Sequence, residues 1–147
     1  MAIDQAESTG ADLIIGTDPD CDRMGCGVLD DSGKIQLLTG NQIGSLMAYY
    51  RCKTFTDLGI VNDSNRDRSV LVKTFVTTEL QRAIADHFGI PIVDTLTGFK
   101  YIGGKLRKYE ESLPSDIRAT YSELSAPEQR DIQLQHGKFF VFGGEES

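Results

Sequence analysis

The chain has 147 residues, 39% of them apolar and 25% charged, with a formal net charge of -7. That leaves room for one ordinary domain, or one domain plus a fragment, and excludes a disordered chain. The acidity argues against nucleic acid as a partner, no apolar run is long enough to span a bilayer, and no signal-peptide pattern opens the sequence, so a cytoplasmic protein is expected.

In chain order, "DQAESTGA" closes a helix, and "DLIIGTD" is a short buried strand running into an acidic loop. "MGCGVLDDSGKIQLLTG" reads as a hairpin that turns at Asp31-Ser32-Gly33 between two apolar stretches. A helix follows, capped by Asn41, with Ile43, Leu46, Met47 and Tyr50 on one face. Asn62 to Ser69 is a polar loop, after which a βαβα pattern begins. "VLVKTFV" is β-branched and apolar enough for a central strand. Thr77 or Thr78 caps a helix in which Leu80, Ile84 and Phe88 recur at intervals of four, and Gly89 with Pro91 ends it. "IPIVDTL" is the next strand, and "TGFKYIGGKLRKYEE" turns through Gly98 into a helix with Ile102, Leu106 and Tyr109 on one face. Residues from Glu111 to Lys138 are polar, hold Pro114 and Pro127, and read as an insertion with one short helix. "KFFVFGGEES" is a last strand running into a glycine-bearing loop. Cys21, Cys26 and Cys52 fit no zinc spacing and are expected as free thiols.

Strands alternating with helices give an α/β class: a layered α/β/α domain with a mixed, largely parallel sheet, preceded by a partial domain of the same type. In such sheets ligands gather at the carboxyl ends of the strands, and the aspartates, "TTEL", "LTGFK" and "GGEES" all follow strands directly. A strand that ends in "GGEES" should lead onward to another element, and "DLIIGTDPD" starts with no earlier strand to pair with. The expectation is a piece of a longer protein, in which Leu13 to Ile15 either stays exposed or pairs wrongly for want of neighbours.

The sharpest chemical signal is "TDPDCDR", where Asp18, Asp20 and Asp22 stand at alternate positions. Carboxylates this close repel one another, and a bound divalent cation removes the problem. Hard oxygen ligands at this spacing after a strand suit Mg²⁺, which keeps open positions for phosphate or water. Arg23 beside the metal could hold a phosphate oxygen through its planar fork. The plainer alternative is a solvated turn, since Asp and Pro are common turn residues. An EF-hand fails, because its sixth and twelfth positions call for Gly and Glu and here fall on Arg23 and Leu29. A haloacid-dehalogenase phosphatase would want Thr or Val where this chain has Asp22.

"TDPDCDR" resembles the metal loop of the α-D-phosphohexomutase family, the phosphoglucomutases and phosphomannomutases, whose pattern is D-G-D-x-D-R or D-P-D-x-D-R. "VKTFVTTEL" resembles that family's strand with a substrate-contacting lysine, "TGFKYIG" its glycine-aromatic loop, and "GGEES" its G-E-x-S sugar-recognition loop. The four motifs occur in the family's order and cover most of the chain. The resemblance implies that residues 1–32 are the last part of domain two, with the metal loop, and 33–147 most of domain three. It implies Asp18, Asp20 and Asp22 as Mg²⁺ ligands and Arg23 beside the reacting phosphate. Lys73 would be a phosphate or proton-transfer partner near the reacting hydroxyl, although a strand lysine could instead reach solvent with its long stem. Gly98 and Lys100 would orient the sugar phosphate, and Glu145 and Ser147 would read the hexose hydroxyls.

Interconversion of hexose 1-phosphate and hexose 6-phosphate, through a phosphoserine enzyme and a bisphosphate intermediate, is the activity the resemblance implies. Its partners would be glucose 1-phosphate, glucose 6-phosphate, glucose 1,6-bisphosphate and the remaining domains of the same enzyme. Neither the T-A-S-H-N-P phosphoserine loop nor the R-x-S-G-T-E phosphate clamp appears in the 147 residues, so the chain alone is expected to be inactive. The rival readings are a Mg²⁺-dependent phosphatase with Asp18 as nucleophile, and a non-catalytic module binding sugar phosphate or metal.

Overall fold

The computed structural model describes residues 2–146, in two compact units that meet in sequence between Ile43 and Gly44. The first unit holds a helix α1 (Ala2–Thr9) and three strands, β1 (Leu13–Thr17), β2 (Met24–Leu29) and β3 (Ile35–Leu38), paired antiparallel in the order β1-β2-β3. The predicted hairpin is present. The Asp30 carboxylate accepts the N–H and hydroxyl of Ser32 and the N–H of Lys34, and Gly33 adopts φ +79°, a conformation that favours a residue without Cβ. β1 is not buried: Leu13 and Ile15 remain 50% and 60% exposed, the exposure expected for a strand short of sheet neighbours. An edge strand of a three-stranded meander has one ladder partner, so an apolar run there gains pairing without enclosure.

Helix α2 (Gly40–Asp57) differs from expectation in its cap and its buried face. Its cap is Thr39 rather than Asn41: the Thr39 hydroxyl accepts the Gln42 N–H, and the Gln42 side-chain oxygen accepts the Thr39 N–H. Beyond Ile43, the buried stripe is Ser45, Ala48 and Cys52, while Leu46, Met47 and Tyr50 face outward. Small side chains let the helix axis approach the sheet closely, and that advantage outweighed the larger apolar residues on the other face.

The second unit is an α/β/α layer. Strands β4 (Ser69–Thr74), β5 (Ile92–Thr95) and β6 (Phe139–Gly144) pair parallel in the order β5-β4-β6. β4 is central, as its composition predicts, and is buried along its whole length. Its side chains alternate between two cores. On one face Leu71 packs with Ala48 and Cys52 of α2 and Ala85 of α3 (Leu80–Phe88); on the other, Val70 and Val72 pack with Ile102 of α4 (Phe99–Glu111). Each such fully buried Val or Leu contributes about 1.5–3 kcal/mol. Strand β6 lies so near β4 that a Cβ at Gly143 would stand 2.6 Å from the Val72 carbonyl oxygen, so this position requires glycine.

The segment read as a polar insertion is largely helical. It contains α5 (Ser115–Arg118), a short 3₁₀ turn (Tyr121–Glu123) and α6 (Ala126–His136), which buries Gln133 and Leu134. Pro127 lies in the first turn of α6, where a missing N–H costs nothing, so it starts this helix instead of breaking it.

Candidate functional site

In the first unit the Thr17–Met24 pair of the β1–β2 ladder closes a short loop carrying Asp18, Asp20, Asp22 and Arg23. Cys21 takes the left-handed conformation there, φ +59°, which turns the chain between the second and third aspartates. Each of the three carboxylates offers an oxygen within 4.8 Å of the others. Oxygens bound at about 2.1 Å to one octahedral Mg²⁺ lie about 3–4 Å apart, so small side-chain rotations would bring the three onto one ion. The donor set, three hard carboxylates and no sulfur or imidazole, fits such a cation.

Part of the charge is met within the loop itself. Arg23 donates its backbone N–H to Asp18 Oδ1 at 3.2 Å and its side-chain Nε to Asp18 Oδ2 at 2.9 Å, with Asp22 3.5 Å away. Desolvation pushes the Asp18 carboxyl up, but the two bonds from Arg23 outweigh it and hold the group below its ordinary value. The guanidinium, itself 66% exposed, is thus a counter-ion to the triplet that a divalent cation would have to share or displace.

The second unit places Lys73, Gly98, Lys100 and Glu145 at or just beyond the carboxyl ends of its parallel strands. The ladder sets Lys73 of β4 level with Asp94 of β5 and Gly144 of β6. Beyond that row the Glu145 carboxylate accepts the Gly98 N–H at 2.5 Å, which joins two predicted sugar-handling loops 47 residues apart. Gly98 adopts φ +117°, open to glycine and strained for other residues, and this presents its N–H to Glu145. Lys100 is exposed, its Nζ 4.9 Å above the Tyr101 ring. Ser147 lies outside the described residues.

Lys73 does not reach solvent. Its side chain is 0% exposed, and Nζ donates to the carbonyls of Thr74 (3.3 Å) and Thr77 (3.1 Å) and to Glu79 Oε1 (2.8 Å), with Asp94 Oδ1 at 3.1 Å. Arg82 completes the group by bonding the second oxygen of Glu79 at 2.8 Å and that of Asp94. Glu79, Arg82 and Asp94 were not singled out from the sequence. "TTEL" follows a strand in the sequence, whereas Asp94 is marked out only by the parallel register that sets it beside Lys73.

Comparison with known proteins gives three findings. Residues 39–120 match the family model for phosphoglucomutase/phosphomannomutase, alpha/beta/alpha domain III. A phosphoglucomutase of Staphylococcus aureus is 33% identical over 133 residues, which are 89% of this chain and 23% of that protein. The chain therefore spans about a quarter of the length of the curated relatives it matches. Among solved structures, Aspergillus fumigatus N-acetylphosphoglucosamine mutase in complex with GlcNAc-6P and magnesium shares the fold, with a TM-score of 0.51 and 18% identity over 91% of this chain and 32% of that one.

Proposed function

The chain belongs to the phosphoglucomutase/phosphomannomutase family, and from that premise we propose that it carries two working loops of a phosphohexomutase that interconverts hexose 1-phosphate and hexose 6-phosphate. In this reading residues 1–32 close the domain that precedes domain III, and 33–147 belong to domain III itself, a span that contains the matched residues. Asp18, Asp20 and Asp22 hold Mg²⁺, as the magnesium in the A. fumigatus complex supports. Bound there, the ion would stabilise charge on the phosphoryl group in transit between a phosphoserine elsewhere in the enzyme and a sugar bisphosphate. Arg23 exchanges its carboxylate partners for the reacting phosphate. Lys73 serves the reacting hydroxyl once one of its carboxylate partners gives way.

The observation that carries the sugar assignment is the bond between Glu145 and Gly98. It fixes one carboxylate oxygen by a backbone N–H and leaves the other to accept from adjacent hydroxyls of a hexose, with Lys100 and Ser147 adding contacts. Glucose phosphates are the substrates we favour, because curated relatives 33% identical to the chain are named phosphoglucomutases. Free Cys21, Cys26 and Cys52 suit a reducing cytoplasm, where we place the protein. Calorimetric titration with glucose 6-phosphate tests the reading: Glu145→Ala should weaken binding about tenfold, the loss expected for a charge-assisted hydrogen-bonding group. Equal affinity in the two proteins would remove the sugar assignment.

A further inference from the structure

Lys73, Glu79, Arg82 and Asp94 form a closed ring of alternating charge. Each carboxylate gives one oxygen to the Lys73 ammonium and the other to the Arg82 guanidinium. The ammonium has three protons and four acceptors around it, so it has no donor left for a ligand. The two carboxylates are not equivalent. Asp94 stands in β5, in ladder register with Lys73, whereas Glu79 stands just before α3, its side chain making no capping bond, and is 67% exposed. Glu79 can leave the ring by side-chain rotation alone. Asp94 cannot.

We propose that the place now filled by the Glu79 carboxylate, between Lys73 and Arg82, is a phosphate-binding site, and that Glu79 acts as its built-in stand-in anion. The inference rests on the reading that phosphorylated ligands come to this edge of the sheet. A phosphate monoester presents two oxygens much as a carboxylate does, and it carries more charge. With Glu79 withdrawn, Lys73 and Arg82 face Asp94 alone, and the ring is left one positive charge in excess. Arg82 then supplies the planar fork that phosphate recognition favours, from the first turn of α3. The Lys73 bond first, and the Arg82 bond after it, hold the Glu79 carboxyl below its ordinary value, so the stand-in is ionised at neutral pH. A phosphate must therefore displace a bound anion, which makes affinity in the intact chain low and tunable at one residue.

The test is titration of the 147-residue chain with inorganic phosphate, following heat and backbone amide shifts. Glu79→Gln should bind phosphate about tenfold more tightly than the parent, since a competing charged hydrogen-bond acceptor is gone. Adding Arg82→Gln should cancel that gain. Equal affinity in the parent and Glu79→Gln, or a gain that survives Arg82→Gln, overturns the proposal. Should Glu79→Gln not fold, the parent decides: saturating phosphate must shift the amides of Glu79 and Arg82, and unmoved amides overturn it. Glucose 6-phosphate in the same series separates the two readings. A Glu79→Gln gain for phosphate that Arg82→Gln cancels, with glucose 6-phosphate binding that Glu145→Ala leaves unchanged, upholds this site while the sugar assignment falls. Glucose 6-phosphate binding that needs Glu145, with no Glu79→Gln gain for phosphate, upholds the sugar assignment and overturns this site.

Discussion

Single side chains set the local electrostatics of both units. In the β2–β3 turn the Ser32 hydroxyl, then the Lys34 N–H and the Gln36 amide, draw the Asp30 carboxyl down to about 2. The folded value lies below the ordinary 3.8, so the unfolded chain takes up this proton at higher pH. The turn's contribution to stability is therefore complete above about pH 4 and is lost as pH falls through about 2. A carboxyl carbon NMR titration of Asp30 should show its midpoint near 2, and a midpoint at the ordinary value would contradict the bonding described. Lys73 is the opposite case, a charge enclosed rather than exposed. A buried ammonium is tolerable only when every proton has an acceptor, and two carboxylates with two carbonyls meet that need.

At the scale of elements, α2 and α6 show where pattern reading and packing part. The apolar positions of α2 divide between two faces, and the sheet took the face with Ala48 and Cys52. There burial lifts the Cys52 thiol to about 11, despite the nearby Arg51 charge, which leaves it an inert core residue. Helix α6 begins with a capping box in which the Glu128 carboxylate accepts both the N–H and the hydroxyl of Ser125. Ser125→Ala should cost about 1 kcal/mol, read as a lower urea midpoint at unchanged slope. An unchanged midpoint would mean that α6 is held by its packing alone. The signal was present in "SAPE", a serine followed at the third position by glutamate with proline in the first turn.

At the scale of the molecule, the parallel order β5-β4-β6 brings three strand ends to one edge, where Lys73, Asp94, Gly98 and Glu145 collect. No helix among the described residues is long and apolar enough to cross a membrane. The proposed mutase reaction places its serine nucleophile outside these 147 residues, so the isolated chain is expected to form no phosphoenzyme. A coupled assay of the isolated chain with glucose 1-phosphate and glucose 1,6-bisphosphate should show no turnover. Sustained turnover would require a nucleophile within these residues and would overturn the expectation that the chain alone is inactive.

Local chemistry made the acidic triplet, the Asp31-Ser32-Gly33 turn, the β-branched strand β4 and the glycine that opens α4 legible from residue order, because spacing and backbone preference decide them within a few positions. The burial of Lys73, its ring with Glu79, Asp94 and Arg82, the bond from Gly98 to Glu145 and the chosen face of α2 were decided only on folding. Each joins residues from different elements, or selects one of two competing faces. Strand register and the closeness of packing settle such choices, and neither is a property of any one segment.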